Sequence, residues 1–273
     1  MLYLICVPIG NLNDFSLRSI NTLKEVDRIF AEDTRVAAKL LKHFDIQKKT
    51  TPFHEHNEER ISLEIIKLIK DKKTVALLSD AGAPLISDPG YPLIQECIKE
   101  SISFTVLPGP SAVINALILS GLPSDNFVFH GFLPKQYKAK INIGRTVISD
   151  NKTHIFFESA KRIHKTIEIF SEVLSPYTQI AICREMTKEF ESTYRGTLEE
   201  ILILIKANKI KLLGEFVLLI HSSISDSRDN DLDENFCKPF LDYLSPADAS
   251  KLIARITNFS KQEVYKFLTE ISK

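Results

Sequence analysis

An excess of either charge is the first thing this sequence lacks. Its 35 lysines and arginines balance 35 aspartates and glutamates, for a formal net charge of +0 at pH 7. A balanced chain does not hold nucleic acid by bulk attraction, so any RNA contact must come from a local basic patch. Cysteine is scarce too. Cys6, Cys97, Cys183 and Cys237 stand far apart with no Cys-x-x-Cys pair, which leaves no thiolate metal framework and points to reduced core thiols in a cytoplasmic protein. No apolar run reaches the roughly 20 residues of a membrane-spanning helix. The opening MLYLICVPIG has no basic segment before its apolar run and leads into a turn, so a first strand is expected there, not a signal peptide. Gly-x-Gly-x-x-Gly is missing, and a dinucleotide site is unsupported. His54 and His56 form a His-x-His pair with no third ligand placed by spacing, so no metal is expected.

What remains is ordinary in composition, with 44% hydrophobic and 26% charged residues among 273, long enough for two domains with real cores. The most informative stretch is 74–92, TVALLSDAGAPLISDPGYP. A β-prone run over 74–78 flips to Ser79 and Asp80, and Gly82, Pro84, Pro89 and Gly90 then keep the chain irregular. Asp88-Pro89 reads as an N-cap followed by proline in the first turn of a helix running to about residue 100. A strand, a glycine-rich loop and a helix start mark where a ligand sits in an open α/β sheet.

Two similar loops lie in the same half. The first follows strand 2–7, as PIGNLND, before a helix carrying Leu17, Ile20 and Leu23. The other follows strand 104–107, as PGPSA, with Ser111 as cap of helix 112–120. Between them come strand 28–31, a helix capped by Thr34, and an amphipathic helix over 57–70. Repeated strand–loop–helix units imply a parallel sheet covered on both faces. Residues 121–124 suit a hinge. A second alternation follows: strand 127–132, a basic loop over 133–140, a weak helix over 141–150, strand 154–157 and helix 162–174. Strand 179–183 then leads to a charged loop over 184–191, a helix opened by a Thr197/Glu200 capping box, and strand 214–220. The expected division is an N-terminal α/β domain over 1–121, a second over 122–222, an acidic linker over 223–235 and a helical unit over 236–273. Ser245-Pro246 and Ser260/Glu263 open helices in that last unit, which resembles a helix-turn-helix as readily as a docking tail.

PIGNLND, AEDTR, FHEHNEER, SDAGAPLISDPGYP, PGPSA, SGLPSDNF, GFLP, FFES, REMTKEFE and GE-x-VLLI occur in that order. From residue 2 to about 221 the chain thereby resembles the small-subunit ribosomal RNA 2′-O-cytidine methyltransferases, a branch of the tetrapyrrole-methylase-like methyltransferases. The resemblance implies two α/β domains, a homodimer, and S-adenosylmethionine bound in the cleft between the domains. It implies a first cofactor loop with Pro8, Gly10 and Asn11, and a second with Ser79, Asp80, Ala81, Gly82 and Pro84, extended by Leu85 and Ile86. Ser111 and Ala112 complete the set. The chain departs from the family pattern with Ala83 where Thr is usual, Ala160-Lys161 where Pro-His is usual and Phe157 where Tyr is common.

The expected partner is 16S rRNA in the small ribosomal subunit, with no membrane. Because a ribose hydroxyl is a poor acid, a carboxylate or neutral lysine must take its proton late. Glu185 is the expected base, with Glu158, Lys188 and Glu191 as companions and Arg184 set against phosphate. Lys135, Lys138 and Lys140, with Lys251, Arg255, Lys261 and Lys266 of the tail, are the expected RNA contacts. Rival readings are a methyltransferase of the same fold acting on a porphyrin-like molecule, and a non-catalytic ribosome-assembly factor.

Overall fold

The computed structural model describes residues 1–222, 232, 234–257 and 259–271. Five short strands open the chain: β1 (Leu2–Ile5), β2 (Arg28–Ala31), β3 (Thr50–Pro52), β4 (Val75–Leu78) and β5 (Phe104–Leu107). They pair in the order β3-β2-β4-β1-β5, every pair parallel. The central strand β4 is buried along its whole length, as expected for a strand covered on both faces. Its side chains alternate: Val75 and Leu77 pack with helices α3 (Glu58–Lys70) and α4 (Tyr91–Lys99). Ala76 and Leu78 pack with α1 (Leu17–Glu25) and α2 (Thr34–His43). Each fully buried Leu or Ile in such a layer contributes about 1.5–3 kcal/mol.

Register is what positions the site. Ile5 pairs with Leu78 on one side and Leu107 on the other, while Leu78 also pairs with Ala31. Four strands therefore end at one level, and the loops that leave them emerge side by side.

The second sheet is mixed. β6 (Phe127–Phe132), β7 (Thr153–Ser159), β8 (Gln179–Arg184), β9 (Ser192–Thr197) and β10 (Glu215–His221) lie in the order β6-β7-β10-β8-β9. Only β6 and β7 are parallel; β10 runs against both neighbours, and β8 with β9 forms a hairpin. One face is covered by α6 (Tyr137–Ser149), α7 (Ile163–Phe170) and α8 (Leu198–Lys206). The other is covered by a helix from the first half, α5 (Ala112–Ser120), whose Val113, Ala116 and Leu117 pack on Ile155, Ala181 and Val217. α5, AVINALILS, is apolar nearly all round, but only the side facing the second sheet is covered: Ile114 and Ile118 stand exposed. Gly121 caps it in the left-handed region at φ 69°.

Several local expectations are corrected. α4 begins at Tyr91 with Gly90 (φ 130°) as its N-cap and Pro92 in its first turn, so Asp88 and Pro89 stay in the loop. Asp33, not Thr34, caps α2. α6 starts at Tyr137, which turns half of the expected basic loop into helix, and α7 ends at Phe170. β3 and β9 were not expected. The Thr197/Glu200 box and the reciprocal Ser260/Glu263 bonds form as the spacing predicts. Helices α9 (Glu234–Leu241), α10 (Pro246–Ile256) and α11 (Lys261–Ile271) enclose a core of Cys237, Ala249, Ile253, Val264 and Leu268. Most of the expected acidic linker, residues 223–231 and 233, lies outside the described residues.

Candidate active site

The loops after β1, β2, β4 and β5 meet the second sheet across a cavity of about 390 Å³, within the size range of small-molecule sites. Asp80, Ala81, Gly82 and Ile86, with Ser111 and Ala112, form the first-half wall; Phe157, Met186 and the run 214–217 form the other. The β1 and β4 loops are stitched by a two-way bridge, Val7 N–H to Gly82 C=O at 2.8 Å and Gly82 N–H to Val7 C=O at 3.1 Å. Gly82 needs φ +73°, and a Cβ there would stand 3.4 Å from Ile9. Further along, Leu85 and Ser87 both hold φ 71°, an unfavourable region for side chains that persists only where surroundings enforce it. Ser79 helps: its hydroxyl donates to the Ala81 and Gly82 carbonyls at 3.4 and 3.3 Å.

Three carboxylates converge at one end. Glu32, Asp80 and Asp88 all line the cavity. Burial pushes the Asp88 carboxyl up to about 7, and the charges of Glu32 and Asp80 add to the effect. Burial first, then Asp80, likewise raises Glu32. Asp80 also accepts from the Asp33 amide at 2.9 Å. Half-buried Glu32 and Asp88, crowded beside the exposed Asp80, are relieved by a cation. Among the described residues, no group of three or more His, Cys, Asp or Glu is placed to hold a metal ion, and no helix is long and apolar enough to cross a membrane. With Ile9, Val113, Met186 and Val217 supplying apolar surface nearby, the residues suit S-adenosylmethionine, a sulfonium and ammonium carrier with a flat adenine.

The structure divides the expected site residues into those it brings together and those it does not. Asp80, Ala81, Gly82, Ile86, Ser111 and Ala112 line the cavity. Pro84 packs beneath the loop beside Phe53 and Leu77, and Leu85 supports Gly90. Pro8, Gly10 and Asn11 are outside the lining, where Ile9 stands for their loop. Gly10 and Asn11 instead meet the second half: the Asn11 amide donates to Thr187 Oγ1 at 3.0 Å, and a Cβ on Gly10 would fall 2.5 Å from Lys188 Cγ.

The expected catalytic and phosphate-facing residues are mostly spoken for. Glu158 lies in the cavity wall, but its side chain is fully buried. It accepts from Arg162 at 2.6 Å, Thr166 at 2.8 Å and Lys140 at 3.2 Å. Lys140 is therefore an interior residue, corrected from its expected RNA role, and also donates to Thr166. Arg184 is buried and spends its guanidinium on the Leu213 and Phe190 carbonyls at 2.6 and 2.9 Å, which removes it from phosphate. Glu185 Oε1 takes the Glu215 amide at 2.8 Å and Lys188 Nζ at 3.0 Å. Burial opposes ionisation of Glu185, yet those two donors hold its carboxyl below the usual range. A carboxylate so stabilised is a poor base. Lys188 also bonds Glu215 at 2.9 Å; its burial is outweighed by the two glutamates, which raise it above an ordinary lysine and keep it protonated. Glu191 accepts the Thr187 amide at 2.5 Å. These four shape the 184–191 loop. Lys135, Lys138, Lys251 and Arg255 are exposed, and Lys251 pairs with Asp248 at 3.1 Å.

Sequence reasoning passed over Glu32, Asp88, Phe132, Phe157 and Met186 as lining residues. The signal for Glu32 was available, since it follows a parallel strand whose neighbours end at ligand-binding loops. The sequence pattern around Asp88 is that of a helix cap, which hides its place in the cavity wall.

A family model described as tetrapyrrole (corrin/porphyrin) methylases matches residues 1–202. A Vibrio cholerae protein named ribosomal RNA small subunit methyltransferase I is 38% identical over 270 residues, covering 98% of this chain and 93% of that one. A Hydrogenobaculum protein of the same name is 46% identical over 222 residues, 80% of this chain and 94% of that one. Among solved structures, diphthine synthase superposes with a TM-score of 0.64 at 14% identity, covering 81% of this chain and 89% of that one, a likeness of fold. Matched along both sheets and carrying a cleft at the level strand ends, the chain belongs to the tetrapyrrole (corrin/porphyrin) methylase family.

Proposed function

We propose that this methyltransferase acts on a cytidine ribose 2′-hydroxyl of 16S rRNA within the small ribosomal subunit. The observation that supports it most is the name shared by relatives that align over nearly all of this chain, joined to a cleft whose acidic end fits a cationic methyl donor. S-adenosylmethionine would be held by the Asp80–Gly82 loop, Ser111 and Ala112, and supplies an electrophilic methyl group. Ile9, Val113, Met186 and Val217 exclude water around it. Asp88 is our candidate proton acceptor: it lines the cavity, and a carboxyl near 7 is poised for general-base work. A cation beside it stabilises its ionised form, leaving a carboxylate oxygen to take the hydroxyl proton as the new O–CH3 bond forms and the S–CH3 bond breaks, its electron pair leaving on sulfur as a neutral thioether.

Exposed Lys135 and Lys138, with Lys251 and Arg255 of the helical unit, are proposed phosphate contacts. The units 1–121, 122–222 and 236–273 are taken as domains, and the enzyme as cytoplasmic. A homodimer is supported by the exposed apolar residues Val106 on the edge strand β5 and Ile114 and Ile118 on α5. The test is methyl-labelled cofactor with small subunits that lack the modification. Label is expected in a cytidine of 16S rRNA; label in no rRNA would refute the reading, and label in a tetrapyrrole offered in parallel would replace it.

A further inference from the structure

At the mouth of the cleft stands a large aromatic side chain with no catalytic task assigned. Phe132 lines the cavity yet is 63% exposed. Its orientation comes from a break in strand register. Phe129 sits opposite Ile155, and the next paired residue, Phe132, sits opposite Phe157. β6 thus advances three residues while β7 advances two. Side chains two apart on β7 share a face, so Ile155 and Phe157 point the same way. In a regular strand Phe129 and Phe132 would point oppositely. The extra residue brings both to the face of Phe157, and bulges commonly re-aim a side chain next to an active site. Gly131 makes this possible with φ +68°, and a Cβ there would lie 3.5 Å from Ser87 Oγ in the β4 loop.

The ring is also held. Phe157 meets Phe132 edge-on at 5.4 Å and Phe129 at 4.9 Å, a braced aromatic cluster with one open member. Three and six residues on, Lys135 just before α6 and Lys138 in its first turn are exposed. An aromatic face beside lysines is the pairing that single-stranded nucleic acid recognition uses, the ring for a base and the cations for phosphate. We propose that Phe132 is the stacking platform for the base of the target nucleotide, turned out of its strand so that its ribose enters the cleft. This rests on the RNA reading above and extends it to the recognition of the base.

The variants F132A, F132L, F132Y and F132W test it, because an exposed residue can be changed with the core intact. With small subunits lacking the modification, kcat/KM for F132A and F132L should fall about ten- to hundredfold, the range expected for one lost base stack. F132Y and F132W should stay near the wild-type value, and calorimetric affinity for S-adenosylmethionine should be unchanged throughout. Full activity in F132L would show that apolar cover suffices and overturn the proposal. A loss of cofactor affinity in F132A that matches its loss of rate would make the ring a wall of the cofactor site instead, and also overturn it. Failure of the RNA reading shows separately, as a wild-type enzyme that labels no rRNA, and removes this proposal with it.

Discussion

At the scale of single residues, Asp88 is where environment changes chemistry most. The folded chain keeps its proton up to about 7, against 3.8 for the ordinary carboxyl. Between those values the unfolded chain has released a proton that the native state retains, so this group's contribution to stability falls as pH rises through the window and levels off above it. D88N should flatten that part of the melting-temperature profile between pH 4 and 7. A cation in the cleft favours the ionised form, so wild-type affinity for S-adenosylmethionine should tighten as pH rises toward 8, and D88N should lose the trend in calorimetry. If Asp88 accepts the proton, D88N costs about 10²–10⁴-fold in turnover. E185Q should cost far less, since Glu185 is occupied with Lys188 and the Glu215 amide; equal losses would return the role to Glu185. The interior offers a contrasting case. Lys140 faces Glu158 at 3.2 Å with both side chains nearly inaccessible. K140M keeps Glu158 paired with Arg162 and Thr166 and should destabilise by about 1.5–3 kcal/mol in urea melts, the cost of one lost hydrogen bond to a charged group.

Among elements, the contact between the β1 loop and the 184–191 loop decides how the cleft wall is held. Gly10 fits only because it has no side chain: a Cβ would meet Lys188 Cγ at 2.5 Å and Thr187 Oγ1 at 2.7 Å. Thr187 is itself left-handed at φ 65°, so the loop has little room to give way. G10A should therefore weaken cofactor binding severalfold in calorimetry while circular dichroism stays native, because the change separates the two sides of the cavity without entering it. This contact also marks how far sequence reading reaches. The parallel half was legible because its buried strands are continuous apolar runs followed by glycine and proline, a local signal. β9, STYRGT, escaped notice because its residues are half-exposed and polar, giving no apolar alternation. Lys140 and Arg184 depart from the surface role their sequence suggests for a related reason. A positive charge reads as surface, and only tertiary packing reveals that Glu158 or the Leu213 and Phe190 carbonyls hold it inside.

For the molecule as a whole, the remaining question is what the last three helices add to the two sheets. Among the described residues, those that line the cavity all fall between Ile9 and Val217, and α9, α10 and α11 have a core of their own. The Hydrogenobaculum relative is taken up to 94% by a 222-residue match, which leaves it no length for a further unit the size of 234–271. Cofactor chemistry should therefore not depend on these helices. A chain ending after Ser222 should bind S-adenosylmethionine with the affinity of the full protein in calorimetry. Its KM for small subunits should rise, because Lys251 and Arg255 leave with the tail. With few phosphate contacts on a chain of zero net charge, the rise should shrink as salt is increased, since the full-length protein loses those contacts to screening as well. Weaker cofactor binding in the shortened chain would place the helical unit at the cleft instead of at the RNA.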